Sequence, residues 1–173
     1  MIAIHTEEAY TERTRAELEQ RQVNAFRAWT LALFEGDTRF TRIVDMSGET
    51  RLDVLFEVAG ASGYAVTFEH DAPGVRVGFI TQDRRIVEAI ERGRVEQRMT
   101  LTELLTMELA EMGETDRYEI DEIIQRPWFG YHIILPLASI AALESDTFRL
   151  SVHHALDAFH LMFQDYVDAV VSS

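Results

Sequence analysis

An α+β fold, an antiparallel β-meander covered by a long N-terminal helix and a long C-terminal amphipathic helix, is predicted by three stretches of the chain. Residues 51 to 80 hold three runs of alternating apolar and polar side chains separated by turn-forming clusters. Residues 7 to 35 read as one long helix. From Thr147 to Val171, the side chains Val152, Leu156, Phe159, Phe163, Tyr166, Val167 and Val170 make a continuous apolar helical face. A three-stranded meander with one apolar face is marginal alone in water, so the helices before and after it are its natural cover. At 173 residues with no interdomain linker, the chain reads as one α+β domain over 1–173.

In the first helix, Thr6 is placed as N-cap and Gly36 as the stop, with Glu7 and Glu8 in the first turn, where the helix dipole favours acids. Its core stripe reads as Leu18, Ala25, Phe26, Trp29 and Leu33. The opposite face is polar until its last turn, which carries Leu31 and Phe34. Either another element of the same chain or a partner must cover those two. Phe40 to Met46 reads as a first strand, turned at Ser47 to Glu49. In the meander, Leu52, Val54, Phe56 and Val58 share one face of a strand, and Tyr64, Val66, Phe68 and His70 repeat the pattern. Val75, Val77 and Phe79 give the third strand, with turns at Gly60 to Gly63 and Asp71 to Gly74.

Thr81 or Asp83 then caps a short helix through Ile86, Val87 and Ile90, ended by Gly93. Thr100 and Glu103 have capping-box spacing and open a helix with Leu101, Leu104, Leu105, Leu109 and Met112 on one face, stopping at Gly113. Glu108 falls inside that apolar arc, where it reads either as a carboxylate of raised pKa or as a rim residue reaching water. Tyr118 to Gln125 alternates as an edge strand ending before Pro127. Trp128 to Leu135 reads as a more buried strand, followed by a short helix near Ala138 to Leu143. Ser145 or Asp146 caps the final helix.

Composition removes several classes of function. The absence of cysteine excludes disulfides, thiolate metal sites and thiol nucleophiles. All 16 basic residues are arginine, which rules out lysine Schiff bases and the lysine of a phosphate-binding loop; codon bias in a GC-rich bacterial genome is the simplest origin. The net charge is −14, and residues 101 to 143 carry eight acids against two arginines, so direct nucleic-acid binding is disfavoured. The N-terminus lacks the pattern of a signal peptide, and the longest uncharged stretch, Trp128 to Leu143, is shorter than a membrane span. A cytoplasmic protein without membrane contact is expected.

Chemistry-bearing residues concentrate on the last helix. His153, Asp157 and His160, at i, i+4 and i+7, stack on one side, where two imidazoles and a carboxylate suit zinc or iron; the same spacing equally describes a polar helix flank. His70 and His132 are further donors if the fold brings them near. Glycine-rich phosphate loops, nucleophile elbows and His-Glu-x-x-His motifs are absent from the sequence. A small-molecule site between meander and final helix would be lined by Phe56, Phe68, Phe159 and Phe163, which otherwise are plain core.

In element order, size and acidity, the chain resembles the type III secretion chaperone-like superfamily, including the YbjN-type proteins of bacteria. It departs in having a longer first helix, an additional strand and an additional helix. The resemblance implies a homodimer without cofactor that binds a non-globular segment of another protein along apolar grooves. Read from the residues alone, the partner-binding candidates are Leu31 and Phe34 on the first helix and the apolar cluster around Trp128 and Phe129. The function expected is that of a non-enzymatic acidic chaperone, adaptor or inhibitor, binding a basic or non-globular protein through an apolar patch rimmed by carboxylates. The alternatives are a metal-dependent enzyme or sensor at His153, Asp157 and His160, and a small-molecule sensory domain.

Overall fold

The computed structural model describes residues 2–173, with side chains from Thr6 onward. Its elements in order are α1 (Ile2–Ala32), β1 (Arg42–Asp45), β2 (Arg51–Val58), β3 (Ser62–Glu69), β4 (Gly74–Thr81), α2 (Arg84–Gln97), α3 (Leu101–Glu111), β5 (Asp121–Gln125), β6 (Trp128–Pro136), a 3-10 turn (Ile140–Glu144) and α4 (Asp146–Val171). The six strands form one sheet in the order β1-β2-β3-β4-β6-β5, antiparallel throughout. The α+β class and the cover of the meander by N- and C-terminal helices are as the alternation required. No helix among the described residues is long and apolar enough to cross a membrane.

Strand register explains the two-sidedness of the sheet. Phe56, Tyr64, Phe79 and Tyr131 lie in one row across β2, β3, β4 and β6, and Val54, Val66, Val77 and Ile133 in the next. All eight are buried, and α4 seats Phe159 and Phe163 on them: Phe163 lies 5.1 Å from Phe79 and 5.6 Å from Tyr131, ring centre to ring centre. The intervening residues face the opposite side, which no helix covers among the described residues.

Helix ends follow local chemistry where a side chain supplies the missing partner. Asp83 caps α2 by accepting the Arg85 N–H, and Ser145 caps α4 by accepting that of Phe148. Thr100 and Glu103 close the capping box of α3 reciprocally. After α1, the turn closes with Gly36 at φ 76°, a conformation an L side chain resists.

Four details depart from the sequence expectations. The first helix begins at Ile2, so Thr6 lies within it and not at its N-cap. Its buried stripe is Gln22, Val23, Phe26, Thr30 and then Phe34, while Leu18 is 49% exposed and Ala25 is also exposed. Only the C-terminal part of α1 rests on the body, and residues 6 to 18 are exposed throughout. Gly93 does not end α2, which runs on to Gln97 and ends at Arg98 in the left-handed region, φ 55°. A Cβ on Gly93 would lie 2.0 Å from the Tyr166 hydroxyl, so the glycine serves the contact between α2 and α4. Finally, β5 starts at Asp121; Tyr118 and Ile120 lie in the loop before it, where the Ile120 N–H donates to the Thr102 hydroxyl at 3.1 Å.

Candidate functional site

The predicted partner-binding residues do not form one surface. Phe34 is only 5% exposed, its ring against Phe40 at 4.9 Å and edge-on to Phe56 at 5.0 Å, so an element of the same chain covers it and it is not part of an exposed patch. Leu31 is half-buried against the same core. Trp128 and Phe129 are neighbours on β6 and therefore point to opposite faces of the sheet: Phe129 lies under the Arg84 guanidinium, Trp128 on the uncovered face.

The histidine flank makes its contacts within the chain. His153 Nε2 lies 3.2 Å from Asp157, whose carboxylate also accepts from Arg39 at 3.1 Å. Arg39 in turn holds Asp37 at 2.8 Å, keeping that carboxyl below the usual range, and lies over the rings of Phe34 and Phe40. His160 faces Phe40 and Tyr64, and burial, with the Arg39 charge second, pushes its imidazole down. These contacts fasten the loop after α1 to α4. His132 lies on the sheet face away from α4, and His70 is directed to the Thr50 carbonyl, so neither joins the pair. Among the described residues, no cluster of three or more histidines and acids is arranged to hold a metal. Phe56, Phe68, Phe159 and Phe163 are buried in the core, each at most 3% exposed.

A concave, amphipathic surface does exist on the helical side. Where α2 and α3 both pack on α4, a cleft of about 350 Å³ opens between the three helices. Its apolar lining comes from Ile90 of α2, Leu101 and Leu104 of α3, and Leu161, Met162 and Phe163 of α4, and Glu108 and Asp165 also line it. Leu161 is 58% exposed, and further large apolar residues on these helices, Met107 and Val95, are also exposed. Arg94 enters the lining from α2. One of its terminal nitrogens donates to Glu91 at 2.7 Å, and Glu91 also accepts from the Tyr131 hydroxyl at 2.8 Å, but Arg94 Nε is buried without an acceptor. Burial and the Glu91 hydrogen bond hold the Tyr131 phenol well above its ordinary range, so it stays a donor.

No family model, no curated protein and no solved structure matches the chain. The functional reading therefore stands on geometry.

The cleft was partly visible in the sequence through Glu108, an acid inside an apolar arc, and through the acid-rich stretch that contains it. Leu161 also carries a signal, since it lies off the stripe of Val152, Leu156, Phe159, Phe163 and Val167 that faces the sheet. What joins them is the packing of α2 and α3 on α4, elements separated by some sixty residues. Helical periodicity does not encode that.

Proposed function

We propose that this is a non-enzymatic interaction protein that receives an amphipathic, basic segment of another protein in the cleft between α2, α3 and α4. The observation that carries the reading is the cleft itself, an apolar floor continuous with exposed Leu161 and bearing the carboxylates of Glu108 and Asp165. A helix lays apolar anchors at i, i+3 and i+4 into such a groove, and basic residues beside the anchors meet the acids. The chain's charge of −14 favours the same partner by steering.

Chaperone, adaptor and inhibitor all fall within this reading. The resemblance in element order to the type III secretion chaperone-like superfamily supports a protein partner, and we take the protein to act in the cytoplasm without a cofactor. A second copy of the chain is the competing occupant, because that resemblance also implies a homodimer.

Site-specific photo-crosslinking separates these. A benzophenone amino acid at position 161 should give a discrete adduct with another protein, reduced when Leu104 is also changed to Asp. The same probe at Tyr10, 73% exposed on α1, should not give that adduct. An adduct of twice the chain mass alone, or the same products from both positions, would overturn the assignment of the cleft.

A further inference from the structure

The uncovered face of the sheet carries a second concavity, separate from the helical cleft. Across its middle the outward row of β2, β3, β4 and β6 reads Leu55, Ala65, Gly78 and His132, and the neighbouring row reads Glu57, Gly63, Ile80 and Gly130. Of these eight, Ala65 and Gly78, which carry little or no side chain, line a trough of about 500 Å³ together with Ile80 and His132, so its floor there is largely backbone. Strand approach requires at least part of this bareness: a Cβ at Gly78 would meet the Tyr131 carbonyl at 2.2 Å, and one at Gly130 the Phe79 carbonyl at 1.9 Å. Its consequence is a flat surface on which a planar molecule can lie.

The walls specify what kind of molecule. Trp128, Ile80 and Ile123 supply apolar and aromatic contact. Three acids line it as well: Arg51 holds Asp53 at 3.1 Å and approaches Glu69 at 3.7 Å, while Glu122 has no arginine within ion-pair distance among the described residues. Arg76 lines the trough, exposed, with no carboxylate within ion-pair distance among the described residues. Beside it, His132 has Nδ1 buried without a partner. An unpaired acceptor is tolerated better than an unpaired N–H, so the neutral ring keeps its proton on Nε2, a second donor. A guanidinium with free donors next to an imidazole N–H is recognition chemistry for a carboxylate.

We infer that the trough floored by Ala65 and Gly78 binds a small planar carboxylic acid, its ring between the floor and Trp128 and its carboxylate on Arg76 and His132. The chain has two tryptophans, so Trp29→Phe leaves Trp128 as the sole tryptophan. Benzoate, indole-3-carboxylate and 2-naphthoate are the probes, with 2-naphthamide as the uncharged control. At least one acid should quench Trp128 saturably and shift the amide resonances of Ala65 and Gly78 in the unsubstituted protein, while the amide should do neither. Arg76→Gln, at an exposed position, should keep the thermal midpoint and weaken binding about tenfold or more, the scale of a lost charge-assisted hydrogen bond. The assignment is overturned if no acid quenches saturably, if the amide binds as well as the acid, or if Arg76→Gln binds like the parent.

Discussion

Thr100 and Gly93 show which residues disclose their role in the sequence. Thr100 does so because its cap involves only Glu103, three residues on; Thr100→Ala should cost about 1 kcal/mol, read as a lower urea midpoint at unchanged slope. Gly93 looks like a helix stop by composition, yet its reason is the ring of Tyr166, which no local pattern reveals. Alanine there gains about 1 kcal/mol of helix propensity but forces the ring aside, at about 1–3 kcal/mol. Overpacking should win, and Gly93→Ala should lower the urea midpoint. His160 gives a pH dependence of known sign. Burial and Arg39 hold its imidazole below the ordinary 6.5, so below that pH the folded state binds fewer protons than the unfolded chain. Its contribution is complete above pH 6.5 and is lost on acidification, and His132, lowered by burial and Arg76, acts in the same direction. Urea midpoints followed from about pH 7.5 to about pH 5 should fall, and the fall should be smaller in His160→Gln.

Among the elements, the meander and α4 were the most legible, because a period of two or 3.6 sustained over a whole segment leaves one assignment of faces. The first helix was legible in type and not in placement. Its apolar residues are spread around the axis, so Leu18 and Ala25 matched a stripe that the sheet never meets, and the contact with the core is made by Val23 and Phe26 together with Phe34, two residues past the helix. At about 1.5 Å per residue, the 31 residues of α1 run to roughly 46 Å, and residues 6 to 18 lie exposed along it. That half has the marginal stability of an isolated helix. Its amides should exchange far faster than those of residues 22 to 31, and deleting residues 1–17 should change the unfolding free energy by no more than about 0.5 kcal/mol. Equal protection along α1 would mean that something covers its first half in solution.

At the scale of the molecule, one six-stranded sheet divides two surfaces: helices with a carboxylate-bearing cleft on one side, a bare trough with Arg76 and His132 on the other. The sequence announced an acidic protein with an apolar patch, and placed that patch at Leu31, Phe34, Trp128 and Phe129. Each of these belongs to an apolar run, and an apolar run does not say which of its members the tertiary fold leaves open. The central claim, that the cleft receives a basic amphipathic segment, is tested most directly by fluorescence anisotropy of a labelled Leu/Arg amphipathic peptide, with a Leu/Glu peptide of the same pattern as control. The parent protein should bind the Leu/Arg peptide and not the Leu/Glu one, and affinity should fall as salt rises from about 50 to about 500 mM. Leu161→Asp, an exposed change that leaves the fold intact, should weaken that binding at least about tenfold. Equal binding of the two peptides, or equal binding by the parent and Leu161→Asp, would contradict it.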